Sequence, residues 1–146
     1  MNLQELIRLT RRNVNDPDGN IYKSEDVTYY VNEGIDRFKT NIYFVNELPL
    51  VQPTDVPTLI PNQYHHLLGV YASARCFSMD ERHYQASTMM NEFEIKLEEM
   101  LTKIESGEVI ITDEFGNEVD ADYEEDYVVD IYFNRNTITD LETAPD

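Results

Sequence analysis

The chain has no tryptophan, one cysteine, five glycines and only 11 lysines and arginines in 146 residues. Each shortage removes a class of protein. A single thiol, Cys76, forms no internal disulfide and no cysteine-based zinc site, which excludes stapled scaffolds and zinc ribbons. Eleven cations against 29 acids leave a formal charge of −18. Holding duplex DNA by counterion release requires clustered Lys and Arg, so the chain as a whole should repel a duplex. No apolar run approaches the roughly 20 residues of a bilayer span. The stretch from Met1 to Arg12 shows no apolar h-region and no cleavage site, so the expectation is synthesis in a cytoplasm without export. A Gly-rich phosphate loop, a G-x-S-x-G elbow and an H-E-x-x-H helix are all missing, and the chain is expected not to be an enzyme.

What is present fits one domain of ordinary size, able to bury roughly 70% of its unfolded surface. Hydrophobic residues make up 41% and tyrosine occurs ten times. Charge is unevenly spread: residues 1–103 hold ten basic and fifteen acidic side chains, whereas residues 104–146 hold Arg135 against fourteen acids. The boundary near Gly107 therefore separates a nearly balanced region from a strongly anionic one.

Residues 3–12 place Leu3, Leu6, Ile7 and Thr10 on one face, with Asn2 as a cap, which predicts a short amphipathic helix. Asn13 to Asn20 then gathers nearly every turn-forming residue type and ends it. Ser24 can cap a long helix from Glu25 to about Val45, where Val27, Tyr30, Val31, Ile35, Phe38 and Ile42 recur at spacings of three and four. Four prolines between residues 46 and 61 forbid regular helix and favour an extended crossover lying over the surface. Pro61 opens a third helix reaching Met79, whose small residues Gly69, Ala72, Ser73 and Ala74 permit close approach and mark it as central. Asp80 can cap a fourth helix to Ser106, with Tyr84, Met90, Phe93, Leu97, Met100, Leu101 and Ile104 inward and Gly107 as its stop. After Gly107 the period changes. Val109–Thr112, a Gly-containing turn and Glu118-Val119 predict a β-hairpin, and Tyr127–Phe133 a further strand. The reading is a helical domain over 1–107, a hairpin and strand extension over 108–134, and a flexible tail over 135–146.

Several constellations could carry chemistry. Residues 14–25 resemble a calcium loop: Asp16, Asp18, Gly19 and Glu25 fall at its third, fifth, sixth and twelfth places, with Asn20 between them. Val14, however, stands where the first carboxylate belongs, so an Asx-rich interhelical turn is the competing reading. His65 and His66 are adjacent, point to different faces of a helix and read as polar positions at its start. Cys76 lies between Arg75 and Phe77 on an apolar helix and reads as core rather than as a nucleophile. Acid pairs such as Glu98–Glu99 and Asp113–Glu114 are expected by chance among 29 acids. Arg8, Arg11 and Arg12 form the basic cluster, near one face of the first helix, either solvated or docked on an acidic partner. Val128, Val129, Ile131, Tyr132 and Phe133 sit in a segment that a helical core does not need, which suggests strand addition to a neighbouring chain.

The order of these features resembles the head-tail connector adaptor family of tailed bacteriophages. The residues that carry the resemblance are the short first helix, the turn Asp16-Pro17-Asp18-Gly19, and Ser24 to Phe38. That last stretch is similar to the family pattern S-D-x-x-(L)-x-x-(Y)-(I/V)-N-E-A-I-x-x-(F), whose N-E-A-I core is met by Asn32, Glu33 and Ile35 with Gly34 where alanine is usual. The Pro-rich crossover, Ile60 to Leu68, the small-residue stretch Val70–Arg75 and a long last helix with Glu92-Phe93-Glu94 follow in the family's order over residues 2–106. The resemblance implies a mainly α fold, a four-helix adaptor-type bundle, here with a β extension and acidic tail longer than the family leads one to expect. It implies a homo-oligomeric ring, commonly of twelve subunits, docked on the phage portal and linked to a tail or neck protein. The protein would be a virion component assembled in the host bacterial cytoplasm, with no cofactor and no membrane. Genome DNA would pass through the ring without specific binding; Asp113, Glu114, Glu118, Asp120 and Asp122 are the acidic candidates for its channel, the alternative being that the acid-rich run reaches along an adjacent subunit. An anionic wall keeps phosphates from adhering.

Overall fold

The computed structural model describes residues 1–41, 47–112 and 117–118. Four helices follow in order, α1 (Leu3–Asn13), α2 (Ser24–Asn41), α3 (His66–Met79) and α4 (His83–Glu105), with a short 3-10 turn at Asn62–Tyr64 before α3. The sole β pairing among the described residues is an antiparallel bridge between Thr112 and Glu118. The strand predicted at 127–133, the predicted tail and the predicted continuation of the second helix to Val45 lie outside the described residues.

α1 starts as its sequence dictates. The Asn2 side chain accepts from the Glu5 N–H at 2.9 Å and the Glu5 carboxylate accepts from the Asn2 N–H at 2.8 Å, a reciprocal capping box. Leu3, Leu6 and Thr10 turn inward, and the Thr10 hydroxyl donates to the Leu6 carbonyl at 2.8 Å. In α2 the predicted stripe is buried at Val27, Val31, Ile35 and Phe38. Ser24 is the first residue of that helix, and its hydroxyl accepts from Arg11.

α3 is the centre of the fold. It packs against α1, α2 and α4 alike, and ten of its fourteen residues are buried, which is why its sequence is apolar all round rather than on one stripe. Two glycines set the approach distances. A methyl group on Gly69 would lie 2.8 Å from Leu9 of α1, and one on Gly34 would lie 3.2 Å from Leu68 and 3.3 Å from Tyr71 of α3. Gly34 thus lets α2 settle on α3 where a bulkier residue would push Leu68 outward.

Two expectations about the α3–α4 junction are corrected. Pro61 does not open α3 directly; it precedes the 3-10 turn, and the α-helix begins at His66. Asp80 does not cap α4. It ends α3, with its N–H directed to the Cys76 and Phe77 carbonyls, while its carboxylate accepts from the Tyr22 hydroxyl. The chain reverses through Glu81 at φ +61°, and α4 begins at His83 without a side-chain cap. Tyr84 precedes Phe93 by about two and a half helical turns, which places it on the opposite face of α4, where it is 81% exposed. The inward stripe starts lower, at Phe93, Leu97, Met100 and Ile104, and Gly107 closes the helix at φ +82°.

The crossover is held at both ends by polar side chains. Asn32 of α2 accepts from the Leu50 N–H at 2.8 Å and donates to the Leu50 carbonyl at 2.9 Å. Buried Glu47 accepts from the Leu59 N–H at 2.5 Å. The carbonyls of Asp55 and Pro53 accept from the N–H groups of Leu3 and Gln4, satisfying donors that the first turn of α1 cannot pair internally. Leu50, Pro57 and Ile60 point inward, whereas Leu48 and Val51 are 75% and 69% exposed.

Candidate functional site

The structure divides the arginine cluster of α1. Arg11 is half-buried: its guanidinium donates to the Ser24 hydroxyl at 2.9 Å and the Tyr22 carbonyl at 3.3 Å, and it packs over Gly19. Its Nε is buried with no hydrogen-bond partner. Arg8 and Arg12 are exposed and form no ion pair among the described residues. Arg8 and Arg11 stand on the wall of a groove of about 600 Å³ between α1, the start of α2 and the crossover, with Leu3, Ile7, Val51 and Pro53 supplying its apolar surface. Arg12 does not line it. Spacing alone groups three arginines; packing decides that one is fixed at the groove, one stands at its rim and one faces elsewhere.

The loop between α1 and α2 is organised around Asp16. Its buried carboxylate accepts from the N–H groups of Asn20 at 2.9 Å, Ile21 at 3.1 Å and Tyr22 at 2.9 Å. Burial alone would raise its pKa, but the three N–H donors and the nearby Arg11 charge outweigh it and hold the carboxyl below its ordinary value. This is the Asx-rich turn. Asp18 and Glu25 are exposed, and no group of three metal-capable His, Cys, Asp or Glu side chains converges among the described residues. With Asp16 already saturated and Val14 buried in the core, calcium added in excess is expected to leave the thermal midpoint unchanged; a calcium-dependent rise in scanning calorimetry would contradict this.

His65 departs from the reading of its sequence. His66 is exposed at the start of α3, but His65 is fully buried, with Nε2 donating to the Ile60 carbonyl at 2.6 Å and Nδ1 accepting from the Met1 amine at 2.8 Å. Burial, reinforced by the Met1 ammonium, holds its pKa below the ordinary value of 6.5 despite the Ile60 bond. The unfolded chain therefore takes up a proton that the folded chain refuses. Stability is full above about pH 6.5 and falls as pH drops from there toward the folded pKa. A His65→Gln variant should lose this part of the pH dependence of the melting temperature below about pH 6.5, and identical slopes in the two proteins would refute it.

Cys76 is buried. Desolvation first, then the carboxylates of Asp80, Asp16 and Asp26, pushes its thiol up to about 12. Because only the thiolate attacks electrophiles, iodoacetamide near pH 8 should leave the native chain unmodified while the unfolded chain reacts, as read by intact mass. Equal rates in both states would overturn this assignment.

Of the acidic channel candidates, Glu118 is exposed beside Thr112; Asp113, Glu114, Asp120 and Asp122 lie outside the described residues, as do Val128, Val129, Ile131, Tyr132 and Phe133. The sequence reading missed Asn32 and Glu33 as polar clamps. Glu33 accepts from Arg75 of α3 at 2.9 Å and from the Tyr71 hydroxyl at 3.3 Å. The available signal was an asparagine, a weak helix former, one position from the buried stripe of a long helix. No helix among the described residues is long and apolar enough to cross a membrane. Comparison of the chain with protein-family models, with curated proteins and with solved structures finds no match.

Proposed function

We propose that this chain is a structural head-to-tail connector of a tailed bacteriophage, a non-catalytic adaptor whose copies form a ring on the portal and link it to a tail or neck protein. The observation that supports the reading best is the order of elements over residues 3–105: a capped short helix, an Asp-Pro-Asp-Gly turn, a long helix carrying Asn32-Glu33, a Pro-rich crossover, a small-residue central helix and a long last helix. The apolar crossover residues Leu48 and Val51 and the outer face of α4 at Tyr84 and Ile95 offer exposed surface for neighbouring subunits. The charge of −18 suits a passage that DNA must traverse without adhering, with genome transit as the function and the virion as the destination.

The test is assembly with a portal. Mixed with the portal protein encoded beside it, the purified chain is expected to co-sediment as a stoichiometric ring complex, resolved by mass photometry. A chain that stays separate from the portal at every concentration and salt condition tested would defeat the proposal.

A further inference from the structure

We infer that the groove walled by Arg8 and Arg11 is the docking site for the chain's own acidic segment, residues 119–126. The groove has two properties seldom paired in so anionic a molecule. Its surface is apolar at Leu3, Ile7, Val51 and Pro53, and two of the chain's eleven cations stand on its wall. Arg11 is held there by Ser24 and Tyr22, so its guanidinium is fixed on the wall before any carboxylate arrives. The one carboxylate on the lining, Glu25, leaves the site net positive.

The segment has the matching pattern. From Glu118 the sequence alternates acid and apolar residues strictly: Glu118, Val119, Asp120, Ala121, Asp122, Tyr123, Glu124. An extended backbone sends successive side chains to opposite faces, so Val119, Ala121 and Tyr123 would share the face that meets the apolar surface while Asp120, Asp122 and Glu124 share the other, toward the arginine rim. Carboxylates paired bidentately with guanidinium are the strongest of the polar contacts such a strand could make.

The point of departure also fits. The bridge from Thr112 to Glu118 turns the chain back antiparallel. Glu108, Val109 and Ile110 border Pro61, Asn62 and Gln63, and the turn that follows these carries His65, which holds Met1 at the head of α1. The segment thus starts on the side of the molecule where α1 begins. A tethered segment of a few residues meets its own site at an effective concentration in the millimolar range, which favours the chain's own groove over that of a second copy. Docking in this way would withdraw Asp120 and Asp122 from the channel wall, leaving Asp113, Glu114 and Glu118 as its acidic candidates, and it requires neither ring formation nor portal binding.

Heteronuclear NMR on the full chain tests it. Neutralising the segment (Asp120→Asn, Asp122→Asn, Glu124→Gln, Glu125→Gln) should shift the amides of Gln4, Ile7, Thr28 and Val51, and Arg8→Glu should shift the amides of 119–126. Arg12→Glu, the same charge change off the groove, should shift neither set beyond its immediate neighbours. Salt near 1 M, where screening is about 3 Å, should reproduce the neutralised spectrum. An unchanged groove on neutralisation, or an equal response to Arg12→Glu, overturns the proposal. Shifts that grow with protein concentration would assign the groove to a second copy and overturn docking in the same chain.

Discussion

Replacing Phe93 by alanine is expected to cost about 3–5 kcal/mol, the largest single loss in the molecule. Phe93 is fully buried on α4, and its ring meets Phe38 of α2 edge-on at 5.9 Å and Tyr71 of α3 at 5.1 Å. Arg37 stands 5.9 Å from the same ring. Truncation removes the apolar contact that joins three helices and leaves a cavity that Phe38 and Tyr71 can fill only by leaving their own packing. Against a total stability of order 5–15 kcal/mol, the urea midpoint should fall by roughly a fifth or more, with Phe93→Leu losing much less. A Phe93→Ala chain within about 1 kcal/mol of the parent would mean that α4 does not pack as described.

Asn32→Ala is expected to cost on the order of 2 kcal/mol through a different mechanism. Asn32 supplies both a donor and an acceptor to the backbone of Leu50, itself buried. Alanine leaves an N–H and a carbonyl without their partner and frees the start of the crossover. Hydrogen exchange separates the two halves of the clamp. Asn32→Asp retains the acceptor, so the Leu50 amide should keep its protection, whereas in Asn32→Ala it should exchange as an open loop. Full protection in the alanine variant would show that the clamp does not hold the crossover.

The helices were legible because their signals are local. Asn2 and Glu5 announce a capping box, the stripe Val27–Val31–Ile35–Phe38 has helical spacing, and Gly107 closes α4 through a positive φ. The central place of α3 was legible from its small residues. What misled was competition between caps. Asp80 has the composition of an N-cap, but the preceding helix uses its backbone and Tyr22 takes its carboxylate, so α4 starts at His83, two residues later than an Asp80 cap would place it. His65 looked like any polar residue at a helix start, because nothing in its neighbours reveals that the Ile60 carbonyl and the Met1 amine converge on it from elsewhere in the chain. The groove was illegible for the same reason. Arg8 and Arg11 are near in sequence, but Val51 and Pro53 reach them only once the crossover has bonded to the first turn of α1.

On the proposed function these features join in one idea, that a small helical core would present an anionic surface in many copies around a passage. The direct measurement is single-particle electron microscopy of the phage particle in which the proposal places this chain. The account expects the collar between portal and tail to contain a closed ring whose repeating density accepts the α1–α4 core, with α3 at the centre of each subunit and acidic side chains toward the lumen. A collar at side-chain resolution in which no density accepts this core would contradict it.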